Sequence, residues 1–168
     1  VKQSKNVIAT GAVNAYDQRM GFSSKGPAYD GRIKPDMCAV GPGGTSHAAP
    51  GLAGVMTQLY QVFKFHNGGQ EPDAGLIKGI LQNTADDLGN PGPDFQHGYG
   101  RINARRAYNL IAAGNHLTDS VANGISNTHT LVVPSGTVEI RCHVYWTDHE
   151  ATAGAPAALV NDLDIRLT

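Results

Sequence analysis

The stretch Gly44-Thr45-Ser46-His47-Ala48-Ala49-Pro50 decides the fold of this chain, because a helix with one apolar face begins beside it. Apolar residues then recur three and four positions apart, which is the spacing of one helix face: Leu52, Val55, Met56, Leu59, Val62 and Phe63. The pattern predicts a helix over residues 50–65 with Ser46 at its start, where backbone N–H groups lack partners and the helix dipole is positive. These surroundings suit a nucleophile whose reaction builds an oxyanion.

A helix start also favours Ser and Thr as N-caps, so Thr45 or Ser46 could serve only as a cap. The flanking residues favour the catalytic interpretation. Gly43 and Gly44 allow a backbone to approach closely, and small residues keep the next turn clear: Ala48, Ala49, Gly51 and Ala53. A peptide lying across Ser46 needs that clearance, and a cap does not. Gly44, Thr45 and His47 are therefore predicted to line an oxyanion and substrate pocket around Ser46.

Several ordered motifs resemble those of the subtilisin-like serine proteases. The stretch from Gly44 to Pro50 resembles the nucleophile motif of that family, which usually reads Gly-Thr-Ser-Met-Ala-x-Pro. Residues 22–36 resemble the segment before the nucleophile, and residues 7–13 resemble the buried strand before that segment. Gly98-Tyr99-Gly100-Arg101-Ile102-Asn103, with Ala107, resembles the turn and last helix of the catalytic domain.

The later motifs, residues 144–148 and 159–164, resemble the β-sandwich that follows the catalytic domain in one alkaline-protease branch. The resemblance implies an α/β fold containing part of a doubly wound parallel sheet, followed by a partial, jelly-roll-like β-sandwich. Three regions are predicted: the C-terminal portion of a catalytic domain (1–113), a linker (114–127) and an incomplete β-sandwich (128–168). Strands are predicted over residues 7–13, 36–40, 129–146 and 158–168, and further helices from residue 72 to 81 and from 103 to 113.

The resemblance implies a serine endopeptidase that hydrolyses peptide bonds with Ser46 as its nucleophile. In the family an aspartate and a histidine precede the serine in chain order, and a side-chain asparagine completes the oxyanion hole. We expect none of these three in this chain. The chain alone is therefore expected to be nearly inactive and to need the N-terminal part of a catalytic domain as its partner. A secreted or cell-surface location is also implied.

Two other function classes remain open. The chain could come from a non-catalytic protease homologue that binds peptides, or it could serve as an adhesion or scaffold module. The sequence also departs from the family between Val40 and Gly44, where Gly41-Pro42-Gly43 replaces a longer strand and loop. That segment is either deleted or omitted from the sequence.

The chain has seven histidines and two cysteines. His47 stands where the family usually has methionine, but adjacent helix residues point apart, so it is a poor base for Ser46. His97 is expected to be exposed in a loop. Cys38 and Cys142 are expected to be buried thiols, although a disulfide between them stays open.

Asp162 and Asp164 are two residues apart on a predicted strand and so face one side of it. With Asn161 and Asp148 they could form a set of oxygen ligands suited to calcium. The resemblance implies such a structural calcium site. The other interpretation is a solvated polar face.

Composition limits the remaining classes. The net charge of −1 gives no sign of nucleic-acid binding, and no apolar run approaches the length that spans a membrane. We expect neither nucleic acid nor membrane as a partner.

Overall fold

A computed structural model describes residues 3–168 of the chain. Within that range it contains two strands and three helices, in the order β1 (Thr10–Val13), β2 (Met37–Val40), α1 (Thr45–His66), α2 (Ala74–Thr84) and α3 (Ala104–Ala112). The strands run parallel, with Thr10 opposite Met37 and Val13 opposite Val40. The parallel pair with its helices confirms the α/β class predicted from the sequence.

The residues just before α3, 100–102, pair with β2 and extend the sheet. The N–H of Cys38 donates to the Gly100 carbonyl at 2.7 Å, and the N–H of Ile102 donates to the Cys38 carbonyl at 2.9 Å. Arg101 also exchanges backbone bonds with Asp86 in the antiparallel sense. The motif over residues 98–103 therefore holds the start of α3 beside the sheet.

Helix α1 lies against both strands and against α3, and α2 packs on α3. The apolar face of α1 forms the centre of the core, where Leu52, Leu59 and Phe63 are buried. Three further residues of α1 are half-buried against them: Val55, Met56 and Val62. This confirms the predicted apolar face. The helix begins five residues earlier than predicted, because Gly44 acts as its N-cap and Pro50 lies inside it.

The two shorter helices begin at polar caps. The Asp73 carboxylate accepts a bond from the N–H of Gly75, and the Asn103 side chain accepts one from the N–H of Arg106. The apolar spacing of residues 103–113 predicts an inward face made of Ala104, Ala107, Tyr108 and Ile111. Ala107 and Ile111 are buried as predicted, but the prediction for Tyr108 is wrong, because this side chain is 46% exposed.

Residues 113–168 form no helix and no strand in the structure. The strands predicted over residues 129–146 and 158–168 are absent, and the partial β-sandwich that they would build is not found. A strand needs a neighbour for its N–H and C=O groups, and an apolar strand also needs a covering layer. Neither is present here: Val138 is fully exposed and Val132 is 93% exposed.

Part of this region nevertheless packs on the rest of the chain. Residues 141–148 lie along α2, where Tyr145 covers its two glycines, Gly75 and Gly79. A Cβ atom added to Gly79 would lie only 3.0 Å from the Cβ of Tyr145. The small residues of α2 therefore allow this segment to approach the helix closely.

Candidate active site

A tight glycine turn joins β2 to α1. The N–H of Gly41 donates to the Val13 carbonyl at 2.9 Å, and the N–H of Gly44 donates to the Gly41 carbonyl at 3.1 Å. A Cβ atom on Gly41 would lie 2.7 Å from the Ala48 nitrogen and 2.8 Å from the Gly44 oxygen. Only glycine fits at position 41, and the turn fixes the first residues of α1 against the end of the sheet.

The first turn of α1 leaves two backbone donors free. Gly44 is the N-cap, with φ of 147°, and it provides no side-chain bond. The N–H of His47 donates to the Gly44 carbonyl at 3.0 Å. Among residues 3–168, the N–H groups of Thr45 and Ser46 have no acceptor. Because both point out of a helix N-terminus, they present positive partial charge to any group that lies there.

Ser46 is therefore not a cap. Its hydroxyl is exposed and makes no hydrogen bond within the described part of the chain. A Cβ atom on Gly44 would lie 3.1 Å from the Ser46 Oγ, so the glycine leaves space beside the hydroxyl. Pro50 has no N–H and cannot donate to the Ser46 carbonyl, so this turn of the helix is held by fewer bonds.

His47 lies on the other side of this turn. A Cβ atom on Gly43 would lie 2.4 Å from the His47 Cε1 and 2.5 Å from its Nδ1, so the ring rests directly on Gly43. The ring is exposed, and within residues 3–168 it makes no hydrogen bond with Ser46. His47 thus lies beside Ser46 with its ring against Gly43, and it is not bonded to the Ser46 hydroxyl.

Among residues 3–168, none of the remaining histidines forms a hydrogen bond with the Ser46 hydroxyl. The expectation for His97 is wrong: it is 8% exposed, and its Nδ1 lies 3.5 Å from an oxygen of Asp94. The His143 Nε2 lies 3.3 Å from the Gln82 Oε1. Burial, with a smaller contribution from the charge of Lys78, lowers the pKa of His143.

A buried charge cluster connects the segment before β1, the segment before β2 and α2. One oxygen of Asp36 accepts bonds from the Lys34 ammonium at 2.6 Å and the Ala9 N–H at 2.7 Å. The other oxygen lies 2.9 Å from the ammonium of Lys78, which also donates to the carbonyls of Lys5 and Val7. Burial lowers the pKa of Lys78, although the neighbouring Asp36 acts to raise it.

The sequence alone does not reveal this cluster. Lys34 and Asp36 fall within a stretch that resembles the family, and Lys78 falls within a predicted helix. The available signal is that Lys78 is the one charged residue between Ala74 and Thr84, because a lysine in an apolar helix is rarely buried unless it is paired.

Both cysteines are free thiols, so the structure contains no disulfide between Cys38 and Cys142. Cys38 is fully buried in β2, as expected, and Cys142 is half-buried. Burial raises the pKa of the Cys38 thiol to about 12. This thiol is therefore neutral and unreactive at neutral pH.

The four residues predicted to bind calcium are not grouped as a metal site. Within residues 3–168, no three His, Cys, Asp or Glu side chains cluster around a common point. Asp162 and Asp164 are exposed. The Asp148 carboxylate is buried and bonded to the Lys5 ammonium at 2.7 Å and to the N–H groups of Val160 and Asn161. The Asp148 carboxylate is thus already occupied by nitrogen donors, and calcium binding by the four predicted residues stays a prediction.

Comparison with known proteins identifies the family. Residues 2–100 match the sequence profile of peptidase S8, the subtilase family. That match covers more than half of the chain, and the chain therefore belongs to the subtilase family.

Two curated relatives are informative. An extracellular serine protease of Serratia marcescens is 35% identical over 99 residues, covering 59% of this chain and 8% of the relative. The serine protease/ABC transporter B family protein tagA of Dictyostelium discoideum is 27% identical, covering 87% of this chain and 11% of the relative. This alignment spans 197 positions, more than the 168 residues of the chain, so the relative carries residues without a counterpart here. The chain spans about a tenth of the length of these relatives.

Solved structures agree on the fold. The CspB protease of Clostridium perfringens has a TM-score of 0.55 at 27% identity, with 62% of this chain and 26% of that one covered. The patellamide maturation protease PatA has a TM-score of 0.51 at 26% identity, with 64% of this chain and 44% of that one covered. No helix within the described residues is both long and apolar enough to cross a membrane.

Proposed function

We propose that this chain carries the nucleophile of a serine endopeptidase, and that Ser46 is that nucleophile. One observation carries the proposal: an exposed serine hydroxyl stands beside two free backbone N–H groups at the start of a 22-residue helix. An oxyanion formed next to Ser46 would meet donors that are already oriented and need no reorganisation. Membership of the subtilase family supports the same role.

In the proposed reaction the Ser46 Oγ attacks the carbonyl carbon of a peptide bond, and the carbonyl oxygen becomes an oxyanion that the Ser46 N–H stabilises. The hydroxyl proton goes to a histidine base, which returns it to the leaving amine. Since no histidine among the described residues bonds to Ser46, we assign the base, its aspartate partner and the second oxyanion donor to protein outside this sequence. The 168-residue chain alone is then expected to be nearly inactive.

The substrate is proposed to be a peptide or protein. The surface around Ser46 includes three small residues, the exposed Gly43 and Ala49 and the half-buried Gly44, which leave space for an extended backbone close to the hydroxyl. The His47 ring would form one wall of the groove. We further propose that the protein is secreted or displayed at the cell surface; the Serratia relative, an extracellular serine protease, supports a location outside the cell.

The division into a catalytic portion (1–113), a linker (114–127) and a second unit (128–168) also remains a proposal. The end of α3 at Ala112 supports the first boundary. Residues 141–148, however, lie along α2, so any second unit shares an interface with the first.

A peptide-binding homologue without activity is the second candidate. It is favoured by the unbonded hydroxyl of Ser46, which has no base within the described residues. The two candidates differ in one test. The full-length protein is assayed for cleavage of a denatured protein substrate, alongside Ser46→Ala and, as the control, Ser24→Ala at another exposed serine.

An endopeptidase should lose activity by about six orders of magnitude in Ser46→Ala. It should keep its activity in Ser24→Ala. A full-length protein that binds the substrate, cleaves nothing and is unaffected by Ser46→Ala would instead be a binding homologue.

A further inference from the structure

Three segments of the chain meet at the ammonium group of Lys5. The Lys5 Nζ donates to the Asp148 carboxylate at 2.7 Å, to the Ala158 carbonyl at 2.5 Å and to the His149 carbonyl. We call Lys5, Asp148 and these two carbonyls the lysine clasp. All three donors of the ammonium therefore have an oxygen partner, and the Lys5 side chain is only 14% exposed.

The acidic half of the clasp is held in place independently. Asp148 is 5% exposed, and its carboxylate also accepts bonds from the N–H of Val160 at 2.9 Å and from the N–H and side-chain amide of Asn161 at 2.9 and 3.0 Å. The Asn6 side-chain amide donates to the Asp148 carbonyl at 2.8 Å.

One of the two residues that supply a carbonyl is anchored as well. The N–H of Ala158 donates to a carboxylate oxygen of Asp30 at 2.9 Å, and Ala158 is buried. The Asp148 carboxylate and one of the two carbonyl-bearing residues are thus held by bonds that do not involve Lys5.

The chemistry of this arrangement is that of a cation site. One carboxylate and two carbonyl oxygens point at a single position, which is the ligand type that hard cations such as calcium prefer. In this chain the Lys5 ammonium occupies that position, and its positive charge balances the negative charge of Asp148. A buried carboxylate without such a partner would be strongly destabilising.

We propose that the Lys5 ammonium is a built-in cation that occupies this oxygen site, so that residues 148–161 are fastened to the N-terminal segment without a metal ion. Removal of the ammonium would leave a preformed site for a hard cation. The proposal goes beyond the protease function and does not depend on Ser46.

The ionisation of Asp148 agrees with this arrangement. Burial acts to raise its pKa, but the bonds from Lys5 and from the N–H groups of Val160 and Asn161 outweigh that effect and hold the pKa far below its usual range. The carboxylate is therefore charged, and ready to hold a cation, at any pH near neutrality.

The first test needs no variant. The full-length protein is treated with a limiting amount of formaldehyde and borane, and methylation of each lysine is measured by peptide mass spectrometry. Lys64 is the internal reference, because its side chain is 44% exposed in a surface pair with Glu71. Lys5 should react at least about tenfold more slowly than Lys64, since its ammonium must leave the clasp to react. Neither chelator nor millimolar calcium should change that ratio.

The second test uses substitutions and terbium, a luminescent substitute for calcium that can be excited through tryptophan. The Lys5→Ala protein should bind terbium with a saturable signal, aided by Trp146 two residues before Asp148. The Lys64→Ala control should give no more signal than the unmodified protein. The double variant Lys5→Ala with Asp148→Asn should lose the signal that Lys5→Ala gained.

Two results would overturn the proposal. One is methylation of Lys5 as fast as that of Lys64, because the ammonium would then not be bound by these oxygens. The same holds if added calcium speeds the methylation of Lys5, because a metal ion would then occupy the site. The other is a folded Lys5→Ala protein that gains no terbium signal dependent on Asp148. If Lys5→Ala does not fold, the methylation ratio of the unmodified protein still decides between a lysine and a metal ion.

Discussion

At the scale of single residues, the glycine at position 41 determines where Ser46 is placed. The turn between β2 and α1 brings the backbone of Gly41 against that of Ala48 and Gly44, with no space for a side chain. The same turn sets the helix start and therefore the direction of the free N–H groups beside the hydroxyl. The position of Ser46 thus depends on the backbone of Gly41, five residues before the serine.

Gly41→Ala should therefore destabilise the protein by about 1–3 kcal/mol, because the added methyl group must displace the first turn of α1. Gly51→Ala is the matched control, since nothing lies within 4 Å of its Cβ position and it lies inside the same helix. It should stabilise the protein by about 0.5–1 kcal/mol. Denaturant unfolding measures both changes, and equal effects of the two substitutions would contradict this account of the turn.

Asp36 is the second residue whose contribution to the free energy of unfolding can be measured. It holds two buried lysines and the N–H of Ala9, so Asp36→Asn leaves two positive charges without compensation. We expect the free energy of unfolding to fall by about 3–5 kcal/mol.

Glu71→Gln is the control for this prediction, because it removes the exposed pair with Lys64. It should cause no measurable change in the same denaturant experiment. A loss below about 1 kcal/mol in Asp36→Asn would show that the buried cluster does not brace the sheet.

At the scale of elements, the sequence predicts a helix correctly where the helix is determined by the residues within it. The spacing of Leu52, Leu59 and Phe63 predicted the buried face of α1, and Asp73 and Asn103 marked the starts of α2 and α3. The predicted start of α1 at Pro50 is five residues too late, because α1 begins at Thr45 and contains Pro50. Proline does begin helices often, but the glycine turn allows this helix to start earlier.

The sequence does not predict an element correctly where that element depends on contacts with distant parts of the chain. Residues 129–146 alternate as a strand does, yet in the structure no neighbouring chain pairs with them. Part of the stretch instead packs on the glycines of α2 through Tyr145. Likewise His97 was predicted to be exposed, since the sequence around it has the composition of a loop. Its burial comes from the fold of residues 94–98, whose backbones bond to each other.

The packing of residues 141–148 on α2 should depend on pH. Burial first, and then the charge of Lys78, lower the pKa of His143 in the folded state, so protons bind more readily to the unfolded chain. The stabilisation from neutral His143 is therefore complete above about pH 6.5 and is lost as the pH falls towards the folded-state pKa. The free energy of unfolding should therefore decrease as the pH falls through about 6.5, the usual pKa of histidine in an unfolded chain.

His143→Gln should flatten that dependence, because glutamine keeps a polar group near Gln82 without titrating. His149→Gln, at an exposed histidine, is the control and should follow the unmodified protein. Urea unfolding at a series of pH values gives the comparison. Identical pH profiles for His143→Gln and His149→Gln would show that this segment does not respond to His143.

At the scale of the whole molecule, the chain belongs to the subtilase family and holds the sheet–turn–helix unit in which the candidate nucleophile sits. The sequence supplied the family and the position of Ser46 through local motifs. It could not supply the lysine clasp, because Lys5 and Asp148 are 143 positions apart and nothing in either neighbourhood marks the pair. Contacts of this kind depend on the path of the whole chain.

The central claim is that Ser46 is an activated nucleophile, and covalent labelling tests it most directly. The full-length protein is treated with a fluorophosphonate probe, and the modified residue is located by peptide mass spectrometry. The account predicts a single stoichiometric adduct at Ser46 that is absent in Ser46→Ala and unchanged in Ser24→Ala. An adduct at another serine, or labelling that persists in Ser46→Ala, would contradict it.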